Sequence, residues 1–126
     1  MLNKLPGIAA AILISTVVPV LAATRDRMPK RYDGNWSVEV ITERGGCDRA
    51  YRYRIVIENG NARYAGGSDF TVSGGVQANG AVRAEISRGS NSARVVGRLV
   101  GGHGNGTWFT AGPSPCGGRW NAERRG

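Results

Sequence analysis

The sequence predicts an all-β domain, a small antiparallel meander of about eight strands closed into a barrel, with a two-sheet sandwich as the alternative. From Tyr32 onward, runs of alternating apolar and polar residues are separated by Gly, Asn and Ser roughly every 8 to 12 residues. No window has a sustained period of 3.6 residues, so no long helix is expected. A length of 126 residues accommodates one domain.

Residues 1–22 have the three parts of a secretory signal peptide. Lys4 supplies the positive charge, residues 8–18 are almost wholly apolar, and the positions up to Ala22 offer small side chains for cleavage. We expect cleavage after Ala22, with Ala23 as the second choice. The apolar stretch is shorter than the roughly 20 residues of a membrane-spanning helix. The sequence therefore predicts an exported protein, periplasmic or extracellular, without a transmembrane segment in the mature chain.

Two segments follow the signal peptide. Residues 23–31 are polar and basic and include one proline, which is typical of a flexible N-terminal arm. Residues 32–126 are predicted to form the barrel domain, which we expect to be monomeric.

The first strands follow from alternation of apolar and polar residues. Apolar side chains at positions 36, 38 and 40 predict the inward face of the first strand, and those from Tyr51 to Ile57 predict the second. Asn59–Gly60 then predicts a two-residue hairpin turn, because both residues tolerate positive φ. This turn keeps inward residues opposite one another, with the pairs Ile57–Ala62, Val56–Arg63 and Ile55–Tyr64.

The next hairpin turns near Asn79–Gly80. A two-residue loop at that position would mix the inward and outward faces of the two strands. We therefore expect a three-residue loop, residues 79–81, with a bulge. Its register places these residues opposite each other: Ala78 and Val82, Val76 and Ala84.

The remaining strands continue the meander. Alternate residues from Ala93 to Leu99 are expected to face inward, opposite the inward residues of the preceding strand, Ile86, Ala84 and Val82. The glycine-rich residues 101–106 are interpreted as a flexible connection. Trp108 and Trp120 then lie on the last two strands.

Two cysteines, Cys47 and Cys116, lie in the exported part of the chain. An even pair in an oxidising compartment predicts a disulfide. It would tie the loop after the first strand to the start of the last strand, which suits a barrel in which those strands are neighbours. With one histidine and no clustered ligands, no metal site and no cofactor are expected.

The charge balance is basic, with 17 Lys and Arg against 9 Asp and Glu, a formal net charge of +8. This favours an anionic partner, either an anionic polysaccharide or other envelope component, or an acidic protein target; export argues against nucleic acid. Two arginine clusters on outward strand faces are candidate ligand-binding residues, Arg52, Arg54 and Arg63 on one hairpin and Arg83, Arg94 and Arg98 on another. The alternative is that they are ordinary solvated strand faces.

No constellation indicates catalysis. His103 lies among glycines with no partner, no serine lies in a G-x-S-x-G elbow, and oxidised cysteines offer no thiol nucleophile. The glutamates fall beside arginines on outward positions, where ion pairs explain them better than acid–base chemistry. We therefore expect a non-enzymatic protein.

Each tryptophan follows a glycine two positions earlier, in Gly34-Asn35-Trp36, Gly106-Thr107-Trp108 and Gly118-Arg119-Trp120. A glycine there allows the backbone to pack beside a large ring. We interpret the three rings as structural aromatics that fill the barrel, with a ligand-stacking role as the alternative.

The G-x-W at residues 34–36, followed by Cys47, resembles the start of calycin barrels, including small periplasmic protease inhibitors. That resemblance implies that residues 23–31 would enter a protease cleft; Cys116, near the chain end, departs from the inhibitor pattern. A closer resemblance, which covers nearly the whole mature chain, is to small exported bacterial proteins with the motifs Y-D-G-x-W, C-D, Y-R-Y, G-T-W and C-x-G-x-W. In this sequence the motifs are residues 32–36, 47–48, 51–53, 106–108 and 116–120. This resemblance implies export and a shared fold, and no function.

The sequence as a whole thus favours an exported binding module for an anionic glycan or other anionic envelope ligand. The alternative is a periplasmic protease or hydrolase inhibitor that acts through the N-terminal arm.

Overall fold

The structure is a computed structural model and describes residues 30–126. The predicted signal peptide and residues 23–29 of the predicted arm lie outside the described residues. The described chain contains the following strands: β1 (Gly34–Arg44), β2 (Ala50–Glu58), β3 (Asn61–Tyr64), β4 (Thr71–Val76), β5 (Ala81–Arg88), β6 (Asn91–Val100), β7 (His103–Thr110) and β8 (Gly117–Arg124).

The eight strands form a closed antiparallel barrel in sequence order. Each strand pairs with the next, and β8 pairs with β1 from Trp36–Arg124 to Arg44–Gly117. The predicted fold class is confirmed, and the sandwich alternative is excluded. Closure leaves no free sheet edge at the junction of the first and last strands. Within residues 30–126, the structure has no helix long and apolar enough to cross a membrane.

The predicted disulfide is confirmed. Cys47 and Cys116 are joined with an S–S distance of 2.05 Å and are 69 positions apart in the sequence. Cys47 lies in the loop between β1 and β2, and Cys116 lies immediately before β8. The bond therefore links the loops beside the two strands that close the barrel.

The β2–β3 hairpin has the register expected from its turn residues, with Ile57 opposite Ala62. Asn59 and Gly60 both have positive φ, 53° and 84°. The Asp33 carboxylate accepts hydrogen bonds from the backbone N–H groups of Asn59, at 2.8 Å, and Gly60, at 3.3 Å. The turn is therefore set by its own residues and held by the segment that precedes β1.

The predicted register of the β4–β5 hairpin was wrong. Val76 pairs with Val82, not with Ala84, and the three-residue loop comprises residues 78–80, one position earlier than expected. Gly80 has a φ of +90°, a conformation that glycine adopts without the strain of a side chain. Its carbonyl accepts the N–H of Leu99 at 2.8 Å. This bond continues the pairing between β5 and β6, in which Ala81 lies opposite Arg98. Gly80 is the third residue of the loop, because the N–H of Gln77 donates to the carbonyl of Ala81 at 2.9 Å. Val76 and Val82 still share the inward face.

Residues 101–106 were wrongly predicted to be a flexible connection. Gly101 and Gly102 form a tight turn, and β7 begins at His103. Gly106 lies opposite Gly97. A Cβ at either glycine would lie under 3 Å from the Trp120 ring, at 2.7 Å and 2.6 Å respectively. Gly106 in this segment and Gly97 on β6 therefore make room for an inward tryptophan.

All three tryptophan rings lie in the core, exposed by 6% or less. Each indole N–H donates to a backbone carbonyl: Trp36 to Tyr32 at 2.8 Å, Trp108 to Ile41 at 3.0 Å, Trp120 to Val96 at 3.0 Å. These bonds satisfy the polar atom of each large buried ring and connect it to the barrel wall.

Candidate functional site

One end of the barrel, the closed end, is sealed by the segment before β1 and by the chain terminus. Arg124 donates hydrogen bonds to the carbonyls of Arg31 at 3.2 Å, Asp33 at 3.0 Å and Gly101 at 3.2 Å. Its guanidinium carbon lies 5.1 Å from the centroid of the Trp36 ring. A single cationic side chain thus holds three backbone segments together over the innermost tryptophan.

The other end, the open end, is formed by residues 45–49, 65–70, 89–90 and 111–116, which connect the strands there. It contains a pocket of about 220 Å³, which we call the mouth pocket. Its walls are mostly apolar and aromatic, with a few polar groups near the rim. They comprise Val38, Val40, Cys47, Tyr51, Tyr53, Phe70, Ile86, Arg88, Asn91, Ser92, Ala93, Val95, Trp108, Thr110 and Trp120.

Aromatic rings from three neighbouring segments meet on one side of this end. Phe70 packs edge-to-face against Tyr53, at 5.3 Å between centroids, and against Tyr64, at 5.2 Å. Tyr51 lies 5.7 Å from Tyr53 in a tilted arrangement. Such pairs are more favourable than their buried area alone predicts, so the cluster forms an ordered aromatic wall.

A smaller cavity of about 80 Å³ adjoins the mouth pocket toward the closed end. The two share wall residues, among them Val38, Ile86 and Trp120. Every residue lining this inner cavity is apolar or glycine, and Trp36 lies at its closed end. The barrel interior is therefore an apolar lumen, sealed at one end and approached through the mouth pocket.

Arg88 is the charged residue on the wall of the mouth pocket, which has no aspartate or glutamate. Its guanidinium carbon lies 5.5 Å from the centroid of the Phe70 ring. None of the four ion pairs found among residues 30–126 includes Arg88. An accessible positive charge therefore lies beside an apolar pocket.

Two tyrosines at the open end have altered acidity. Tyr51 donates a hydrogen bond from its hydroxyl to the Asp48 carboxylate at 2.6 Å, and this bond is the main reason why the pKa of Tyr51 is raised. Burial is the main cause that raises the pKa of Tyr53, with further raising by Tyr64. Both hydroxyls stay neutral at physiological pH and remain able to donate hydrogen bonds.

The first predicted arginine cluster lies on the outer face of β2 and β3, with all three side chains exposed. Arg52 forms an ion pair with Glu39 at 3.7 Å, and Arg63 forms one with Glu58 at 2.9 Å. Arg54 lies opposite Ser37 on β1. Two of the three guanidinium groups are therefore engaged with the barrel's own carboxylates.

The second predicted cluster lies on the outer face of β5 and β6. Arg98 donates to the carbonyl of Asn79 at 2.7 Å. Arg94 lies opposite Glu85 on the neighbouring strand, and Arg83 lies opposite Val96. Arg83 and Arg94 border a shallow outer depression, and the six arginines lie on two separate strand pairs instead of converging on one site.

His103 is exposed on the outer face at the start of β7, opposite Glu123. Around it is a shallow polar depression that includes Arg52 and Arg125. In the part of the chain that the structure describes, no three His, Cys, Asp or Glu side chains are grouped to hold a metal ion.

Lys30 and Arg31, the described part of the predicted arm, lie at the closed end. Arg31 is held through its carbonyl by Arg124, and its guanidinium donates to the carbonyl of Ala78 at 3.4 Å. The chain therefore enters the barrel at the end opposite the mouth pocket.

Sequence reasoning missed Arg88 as a site residue, although the sequence contains a signal for it. The inward positions of β5 alternate as Val82, Ala84 and Ile86, and the next inward position is Arg88. A charged residue on an otherwise apolar row indicates either an error of register or a position that reaches water. Here it marks the rim of the lumen.

Comparisons with known proteins identify no relative: no family model, no curated protein and no solved structure matches the chain. The geometry described above is therefore the basis for a functional proposal.

Proposed function

We propose that this chain is a non-enzymatic binding module that takes up a small, predominantly apolar molecule through the mouth pocket. The observation that carries the proposal is the asymmetry of the lumen. Arg124 and Trp36 seal one end, while the other end opens into an apolar pocket of about 220 Å³. Concave, mostly apolar pockets with a few placed polar groups are the usual sites for small ligands.

The lumen residues support this proposal by their accessibility. Val38, Val40 and Ile86 face inward yet are only half-buried, whereas Trp36 at the closed end is 2% exposed. Burying apolar surface is worth roughly 25 cal/mol per Å². A ligand that covers these side chains therefore removes their apolar surface from water, and this burial favours binding.

The size of the mouth pocket limits the ligand. Pockets for drug-sized molecules typically measure roughly 300 to 1,000 Å³, and this one is smaller at about 220 Å³. The proposed ligand is therefore on the scale of two or three aromatic rings or a short aliphatic chain, with the aromatic wall in contact with its body.

The protein is further proposed to act outside the cytoplasm, as a monomer. The disulfide between Cys47 and Cys116 agrees with an oxidising compartment. The exposed arginines on the outer faces favour loose association with anionic envelope polysaccharide. That association would be diffuse and sensitive to salt, because the charges lie on separate faces.

The proposal is tested with N-phenylnaphthylamine, an uncharged apolar dye whose fluorescence increases in apolar surroundings. The wild-type barrel is expected to bind it with saturation. Ala93→Leu, which places a larger side chain in the mouth pocket, should weaken binding at least tenfold. The matched control is Ala78→Leu, on an exposed turn at the closed end, which should bind as the wild type does.

Two results would contradict the proposal. One is a lack of saturable binding by folded wild-type protein. The other is equal binding by the Ala93→Leu and Ala78→Leu variants, which would place the dye outside the mouth pocket.

A further inference from the structure

We infer that the ligand of the mouth pocket is a small apolar acid, whose carboxylate is bound by Arg88 at the rim while its apolar body lies in the lumen. This inference rests on the proposed function and adds the chemical class of the ligand.

The first argument is the position of Arg88. It is the last residue of β5, on the same inward row as Ile86, and it lines the mouth pocket. A charged side chain deeper in this apolar lumen would pay a large desolvation cost. At the rim its stem can cover apolar surface while the guanidinium stays exposed and hydrated.

The second argument is charge. The walls of the mouth pocket contain no carboxylate, and no ion pair among residues 30–126 involves Arg88. Asp48, on the β1–β2 loop, is engaged by the Tyr51 hydroxyl at 2.6 Å. The remaining titratable groups on the pocket wall are the Tyr51 and Tyr53 hydroxyls, which are neutral at physiological pH. The electrostatic complement of this pocket is therefore an anion.

The third argument is orientation. The Arg88 guanidinium lies over the Phe70 ring, at 5.5 Å from its centroid, in a cation–π contact. This contact restricts the side chain before a ligand arrives, so less conformational entropy is lost on binding. A planar guanidinium fork matches a carboxylate, with two parallel N–H···O hydrogen bonds.

The aromatic wall continues from this contact into the pocket. Phe70 also packs edge-to-face on Tyr53, which lines the same pocket. An acid bound to Arg88 would therefore have its apolar body beside these rings and directed toward the apolar inner cavity. Charge at the rim and apolar surface below it together describe an amphiphilic acid.

The test compares naphthoate with its uncharged isostere naphthamide, as competitors of N-phenylnaphthylamine. Wild-type protein is expected to bind naphthoate about five- to tenfold more tightly, as a charge-assisted contact at an accessible rim provides. Arg88→Gln should abolish this preference, so that naphthoate and naphthamide compete equally well.

Arg94→Gln is the matched control, because it removes the same charge from the outer face of the barrel. It should retain the preference for naphthoate. Equal preference in wild-type and Arg88→Gln proteins would overturn the inference and leave the proposed function standing. A lack of dye binding by all three folded proteins would overturn both.

Discussion

The two ends of the barrel are held by different kinds of interaction. At the closed end, Tyr32, Trp36 and Leu99 are at most 5% exposed, and Arg124 binds three backbone carbonyls over them. At the open end, Tyr51 is 41% exposed and Phe70 is half-buried. The disulfide bond between Cys47 and Cys116 lies at this less buried end.

This difference shows how a small barrel combines stability with access. Packing and hydrogen bonds at one end allow the other end to leave apolar side chains within reach of water. Binding sites are commonly drawn from the less stable parts of a fold. The disulfide restricts the loops around the mouth pocket without filling it.

The largest effect is expected at the closed end. Trp36→Ala removes a ring that is 2% exposed, its hydrogen bond to Tyr32 and its contact with Arg124. We expect a loss of about 5 kcal/mol in the free energy of unfolding, the upper end for a buried tryptophan. Urea denaturation measures it, with Trp36→Phe as a milder control. A loss below about 2 kcal/mol would mean that this end does not hold the fold.

The second effect concerns the open end. Replacing both cysteines, Cys47→Ser and Cys116→Ser, should reduce the free energy of unfolding by about 4 kcal/mol in the chain-entropy model. The ring that is lost spans 69 sequence positions. Because β1 still pairs with β8, the variant should still fold. Wild-type protein treated with a thiol reductant should show the same loss; an unchanged urea midpoint in both would contradict the prediction.

A third prediction sharpens the contrast within one class of side chain. Phe70→Ala, at the open end, should cost only about 1–2 kcal/mol, because the ring is half-buried. It should nevertheless weaken binding of N-phenylnaphthylamine about tenfold. Denaturation and dye titration on the same variant separate the two effects. A stability loss as large as that of Trp36→Ala would erase the distinction between the ends.

The smallest predicted effect is a change in stability at alkaline pH. The raised pKa values of Tyr51 and Tyr53 mean that the unfolded chain loses these protons at lower pH than the folded chain. Their contribution to stability is therefore complete below the ordinary tyrosine value near 10 and is lost as pH rises through the folded values.

Absorbance of the tyrosinate ion checks this prediction. Asp48→Ala removes the acceptor that is the main cause of the Tyr51 shift, so one tyrosine should titrate at lower pH than in the wild type. Tyr51→Phe identifies which step belongs to that residue. An identical titration curve for Asp48→Ala and wild type would show that the hydrogen bond does not control the ionisation.

Much of the wall of the barrel could be predicted locally. The Asn59–Gly60 turn has the expected register because two adjacent residues that accept positive φ suffice to define it. The β4–β5 register could not be predicted in the same way. It depends on which residue is third in the loop: the structure has Gly80 there, with a φ of +90°, where Ala81 was expected.

Only part of the candidate site could be predicted from the sequence. Alternation placed Tyr53 and Ile86 on the inward face, where both line the mouth pocket. The outward arginines were predicted as ligand-binding residues because they are numerous and account for most of the positive net charge. The importance of Arg88 depends on the strand ends that surround it and on the ring of Phe70 beneath it.

The sequence by itself determined that the chain forms a meander of short strands, which faces point inward, and which two cysteines pair. These features follow from the two-residue period of strands, from turn residues and from the presence of a single cysteine pair. The tertiary structure alone decided which end of the lumen is sealed. That decision rests on contacts such as Arg124 to the carbonyl of Arg31, 93 positions apart, and no local pattern specifies such contacts.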